Sequence, residues 1–216
     1  MRKYINIVES LQIVESKSHP IIVVDVQPAY DNKLNSKIIN FVHNQTGPKL
    51  MFVNADRDGM TDDTIDSIKQ YWEEEVGYAD SEDDDYYESA IDWNTYTIVD
   101  KGYGYFRDWM DQGIDEHVII RVIRLMYQQQ VSDSRMLFGG EDSDEYTTEL
   151  EKILDGNDLD FCANNPISIY WTNVAQLKKF SGAYIVGGAK DECLREVELL
   201  MSAFNIKYKR INSLVY

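Results

Sequence analysis

Apolar residues along this chain alternate between two rhythms, short β-branched runs and stretches with helical spacing. Such alternation is the pattern of a parallel sheet covered by helices. Residues 3–16 read as an opening helix, with Ile5, Val8, Leu11 and Ile13 on or near one face. His19 and Pro20 end it, and the run IIVVD follows as a first strand, apolar on both faces as a central parallel strand must be. Residues 33–45 suit a helix, Gly47-Pro48 a turn, and LMFV at 50–53 a second strand. The segment TDDTIDSIKQYW predicts a crossover helix capped by Thr61, with Ile65, Ile68, Tyr71 and Trp72 as its apolar stripe. A third strand is expected at 95–99, TYTIV.

The rhythm then stalls. Residues 107–172 contain a helix around VIIRVIRLM at 118–126, a polar loop at 132–145, a short helix near 147–154 and a strand candidate, ISIYW. Alternation resumes with helix TNVAQLKKF and strand AYIVG, so 107–172 is read as an inserted arm that caps a site or makes an oligomer contact. No internal repeat is evident. The expected fold is a single α/β domain over residues 1–216: a three-layer, Rossmann-like arrangement with a mostly parallel sheet, helices on both faces and the arm.

Composition narrows the function. A chain of 216 residues with 44% hydrophobic residues can bury one sizeable core. Its 38 acidic residues against 21 basic ones give a formal charge of −17, which repels a phosphate backbone and disfavours nucleic-acid partners. Much of the excess lies in EEEVGYADSEDDDYYE at 73–88, read as a solvated loop. Apolar runs are too short for a membrane span. The polar N-terminal segment does not resemble a signal peptide, and Cys162 and Cys193 are too few for a disulfide framework. These features predict a soluble protein of a reducing, cytoplasmic compartment.

Candidate chemistry emerges from strand ends, because open α/β sheets bind ligands beyond the carboxyl ends of their strands. Asp25 ends IIVV, Lys101 lies just past TYTIV, and Cys193 follows AYIVGG where a helix starts. Singly, each has an ordinary explanation as a cap, a solvated cation or a filler. Together, on one edge of one sheet, they point to a site.

These residues resemble the isochorismatase-like cysteine hydrolases, the group that includes nicotinamidases and carbamoyl amidases. IIVVDVQPAY is similar to the family's opening strand, with Asp25 and Gln27 matching its D-x-Q pattern. Lys101-Gly-Tyr-Gly-Tyr-Phe106 is similar to the segment carrying the family's lysine and its trailing phenylalanine, and Gly187-Gly-Ala189-Lys-Asp-Glu-Cys193-Leu194 to its nucleophile segment, with Leu194 in place of Val. The segment NIKYKRINSLVY looks like its final strand, and the resemblance spans 18–106 and 173–216. It implies a catalytic triad of Asp25, Lys101 and Cys193, an oxyanion hole from the amides of Ala189 and Cys193, and a cis peptide between Gly188 and Ala189. Gln27, Tyr30, Tyr103 and Phe106 are the expected substrate-binding residues, with Tyr105 near them. Nicotinamidases of the family carry a zinc site from one Asp and two His after the second strand, whereas here VNADRDGMTDD has no histidine, so neither metal nor other cofactor is expected.

The implied chemistry is cleavage of a small amide or carbamoyl compound through a covalent thioester. Cys193 attacks, Asp25 is the general base, and the helix N-terminus and Lys101 favour the thiolate. Glu192 beside the cysteine would oppose the thiolate if it pointed inward. The expected partner is a small molecule, with a homo-oligomer allowed by the arm. Two alternatives stand beside this reading. One is a non-catalytic interaction protein that contacts its partner through the arm; the other is a PIN- or NYN-like nuclease holding magnesium with Asp25, Asp56, Asp58 and Asp100.

Overall fold

The computed structural model describes residues 18–55, 62–79, 88–101, 106–138, 144–169 and 174–216. Strand β1 (Ile21–Val24) is followed by a 3-10 turn at Pro28–Tyr30, helix α1 (Asn35–His43), strand β2 (Lys49–Val53) and helix α2 (Ile65–Val76). A short pair, β3 (Tyr78–Ala79) and β4 (Glu88–Ser89), precedes β5 (Tyr96–Asp100). Then come α3 (Arg107–Asp111), α4 (Glu116–Gln129), α5 (Asp144–Ile153), α6 (Leu159–Asn164), α7 (Val174–Lys178), β6 (Ala183–Gly187), α8 (Cys193–Ala203) and β7 (Tyr208–Arg210).

The main sheet has five strands in the order β5-β2-β1-β6-β7, every neighbouring pair parallel. All four residues of β1 are buried, as a strand covered on both faces requires. Period-two alternation divides them. Ile21 and Val23 pack with Ile38, Ile39 and Val42 of α1 and with Ile68 and Trp72 of α2. Ile22 and Val24 join the opposite core, with Trp109, Ile119, Val122, Ile123, Met126, Leu150 and the α8 residues Leu194, Val197 and Leu200. The result is a three-layer, Rossmann-like α/β fold. The segment expected as an arm runs between β5 and β6, and its helices line the second of these cores.

Local details differ from the sequence reading in instructive ways. The cap of α2 is Thr64, whose side chain accepts from Ser67 N while Ser67 Oγ accepts from Thr64 N, a reciprocal box that places the helix start after the Asp pair. Thr61 lies outside the described residues, as do the opening helix at 3–16 and the middle of the acidic segment. Of ISIYW, Ile167–Ile169 form no strand; Ser168 makes an isolated antiparallel bridge to Asp133. Both isoleucines are buried there, so the apolar alternation reflected burial beside helices and not membership of the sheet. No described helix is long and apolar enough to cross a membrane.

Candidate active site

Asp25 leaves β1 with its amide still donating to Phe52 O at 2.9 Å, then turns the chain with φ +48°. Left-handed backbone is unusual outside glycine, and Asp is among the few residues that adopt it readily. The turn is held from several sides. Trp72 Nε1 donates to Val26 O at 2.9 Å. The Tyr216 hydroxyl donates to Asn35 Oδ1 at 2.8 Å and lies 3.2 Å from Asp25 O. A strand-end carboxylate is thus fixed by contacts that begin as far away in sequence as residue 216.

Lys101 continues the register of β5, its amide donating to Val53 O at 2.8 Å. Its Nζ lies 2.9 Å from Asp25 Oδ2, with the two side chains only 3% and 2% exposed. Neither Asp25 carboxylate oxygen accepts a hydrogen bond of regular geometry from the described residues, so the contact acts as an ion pair. Burial opposes the ammonium charge, but the charges of Asp25, Glu196 and Cys193 outweigh it and raise the lysine above its ordinary range.

Cys193 is the first residue of α8, reached from β6 by a turn through Gly187, at φ +78°, and Gly188, at φ +64°. Ala189 O accepts from Glu192 N and Leu194 N, which curls the loop over the helix start. Tyr216 closes the loop from outside: its amide donates to Gly188 O at 3.2 Å, and its carbonyl accepts from Lys190 N at 3.1 Å. Among the described residues, the amides of Ala189 and Cys193 donate to no acceptor, so both remain available to a developing oxyanion. The Gly188–Ala189 peptide is trans, because no described peptide bond is cis, and the two positive-φ glycines make the turn instead. Glu192 is exposed and pairs with Arg107 at 3.0 Å.

The thiol itself departs from expectation. Burial pushes Cys193 up to about 12, Asp25 adds to the shift, and Lys101 only partly offsets it. The helix N-terminus and the lysine therefore do not suffice to give a resting thiolate; the proton stays on sulfur with a carboxylate beside it. Iodoacetamide is accordingly expected to label Cys193 slowly at neutral pH, with a rate that climbs about tenfold per pH unit as the thiolate fraction grows. Cys162 is fully buried and is raised to about 11, so it should label later still, by lack of access. Peptide mass spectrometry over a pH series checks both. A plateau reached near neutrality would contradict the half-buried, neutral thiol.

The other expected residues separate by role. Gln27 is fully buried and its amide is used within the protein: Nε2 donates to Asn54 O and Asp63 Oδ2, and Oε1 accepts from Asn54 N. It orders the loops around Asp25 and presents no free group to a ligand. Phe106 is 1% exposed and its ring belongs to the core, so its contribution is structural. Tyr30 is half-buried, accepts from Asn54 Nδ2 at 2.8 Å, and feels the charges of Asp25, Lys101 and Cys193, which places it beside the site. Tyr103, Tyr105, Asp56 and Asp58 lie outside the described residues. Asp100 Oδ1 accepts from Ala55 N at 3.2 Å, and the ammonium of Lys101 takes the place beside Asp25 that the nuclease alternative gives to magnesium. Among the described residues no group of His, Cys, Asp and Glu has the arrangement of a metal site.

One group escaped the sequence reading. Glu196 is 4% exposed and accepts from Phe106 N at 2.8 Å; with Lys101, Phe52, Val197 and Leu200 it lines a narrow cavity. Burial raises its carboxyl to about 7, against the pull of Lys101. Its position one helical turn after Cys193 was a readable signal, because residues three apart share a helix face. Comparison with family models, with curated proteins and with solved structures finds no match for this chain.

Proposed function

We propose that the protein is a cysteine hydrolase that cleaves a small amide or carbamoyl compound through a thioester on Cys193. The observation that carries this reading is the buried Asp25–Lys101 ion pair, 2.9 Å across, beside a cysteine that opens α8 at the carboxyl edge of the sheet. Burying such a pair costs several kcal/mol of desolvation per ion, and a protein that needed only stability would gain more from apolar residues. The pair suits a proton transfer next to sulfur.

The steps follow from the resting protonation state. Sγ bonds to the substrate carbonyl carbon while its proton passes to the Asp25 carboxylate, so the thiolate exists only as it is consumed. The carbonyl oxygen gains negative charge facing the amides of Ala189 and Cys193, and the Lys101 ammonium stabilises the anionic site as a whole. Collapse breaks the C–N bond, and the leaving amine takes the proton back from Asp25. Water then attacks the thioester, again yielding a proton to Asp25, and the C–S bond breaks to release the acid and restore the thiol.

Incubation with a panel of small amides and carbamoyl compounds, quenched with acid and read by intact-protein mass spectrometry, tests the proposal. The expected result is an acyl adduct on Cys193 with release of ammonia or amine. Cys193→Ala should form no adduct and lose at least about a thousandfold in turnover. Turnover that survives Cys193→Ala, or chelator-sensitive cleavage of nucleic acid, would overturn the reading. Inactivity across the panel would shift weight to a non-catalytic partner-binding role.

A further inference from the structure

Asp25, Lys101 and Cys193 account for attack and proton transfer but leave a fourth buried ionisable group unused. Glu196 sits three residues after Cys193 on α8 and so shares its face of the helix. Its Oε1 receives Phe106 N at 2.8 Å, which ties α8 to the chain entering α3, and the residue lines one narrow cavity together with Lys101. The remaining wall of that cavity is apolar, from Phe52, Val197 and Leu200. A neutral acceptor such as glutamine would satisfy the Phe106 amide without placing a second ionisable carboxyl near Lys101, so that hydrogen bond alone does not account for an ionisable side chain here.

We propose that Glu196 is a positioning residue of the same site, a buried carboxyl that divides the Lys101 charge with Asp25 and thereby sets how readily Cys193 gives up its proton. The inference rests on Cys193 being the nucleophile. When Glu196 is ionised, Lys101 faces two carboxylates and its support of the sulfur is shared; when Glu196 is protonated, the ammonium serves Asp25 and the sulfur alone. The charged groups that act on Glu196 are Lys101 from the end of β5, Asp25 from the end of β1 and Arg107 from α3, and it acts in turn on Cys193 of its own helix. Arg107 is also engaged with Glu192 and Asp111, so its pull on Glu196 is shared. Burial holds the Glu196 proton up to about 7, which puts its change of charge in the working range of most hydrolases.

The test is the pH profile of Cys193 alkylation by iodoacetamide in the full-length protein, over roughly pH 5 to 9. The wild-type logarithmic rate should rise with unit slope, ease to a slope of roughly 0.5–0.7 near the Glu196 titration at about 7, then resume unit slope on a line displaced downward. Glu196→Gln keeps an acceptor for Phe106 N but cannot ionise. Its profile should be one straight line that coincides with the wild type on the acid side and runs roughly threefold to tenfold faster on the alkaline side. A role confined to packing would change the rate equally at every pH. An unbroken wild-type line, or a ratio independent of pH, would overturn the proposal, and the wild-type profile decides even if Glu196→Gln folds poorly. Adduct formation on amides, measured separately, keeps the two readings apart. A straight profile with a trapped thioester removes Glu196 alone, whereas a broken profile without any thioester removes the hydrolase and leaves the electrostatic link to sulfur.

Discussion

Lys101→Met should destabilise the protein by about 3–5 kcal/mol, the range found when one partner of a buried ion pair is removed. Methionine fills much of the volume of the lysine stem, so lost packing contributes little. The damage comes from Asp25, left 1% exposed with no cation and no regular hydrogen-bond donor among the described residues. Adding Asp25→Asn should recover most of the loss, because the amide carries no charge and asparagine tolerates the φ of +48° that this turn demands. Urea unfolding of the two single variants and the double variant gives the coupling directly. Strict additivity would mean that the pair does not interact in the way its 2.9 Å separation indicates.

Gly187→Ala should be nearly as damaging, for a steric reason. A Cβ at this position would lie 2.4 Å from Val24 O and 2.6 Å from Val26 Cγ2, and the first of these is backbone of the neighbouring central strand. The residue also sits at φ +78°, which costs a non-glycine roughly 1–2 kcal/mol by itself. Gly182→Ala separates the two contributions: its φ is +88°, yet nothing lies within 4 Å of the added carbon. Gly182→Ala should therefore cost only the backbone strain, and Gly187→Ala at least about twice as much, lowering the melting midpoint by roughly 10 °C. Equal losses would mean that β1 and β6 part at this point with little penalty.

What the sequence made legible follows from how local each signal is. β1, β2 and β6 are short apolar runs bounded by turn residues, and a strand buried on both faces has few other ways to look; β5, at the sheet edge and only partly buried, was legible from its β-branched run. The meeting of Asp25 and Lys101 was legible because strand ends in a parallel sheet share one edge. ISIYW misled because burial beside helices and burial in a sheet select the same isoleucines. The thiol misled for a different reason. A helix start and a lysine can be counted along a sequence, but the desolvation that outweighs them depends on how the Tyr216 segment, α8 and the loop after β1 enclose the sulfur. Glu196 was overlooked because a glutamate between Arg195 and Val197 reads as surface until the hydrogen bond to Phe106, ninety residues away, is seen. Gln27, expected at the ligand, engages its side-chain amide with Asn54 and Asp63, partners that its place in the sequence does not reveal.

A sulfur that keeps its proton also has a long shelf life. Peroxide and disulfides react with thiolates, so a thiol pushed up to about 12 offers oxidants little to attack. Cysteines activated by a low pKa pay for readiness with sulfenic acid and mixed disulfides whenever the redox balance slips. Here the Asp25 carboxylate stands beside the sulfur and is only 1% exposed. For the hydrolase proposed above, the same burial that slows labelling would protect the sulfur between turnovers.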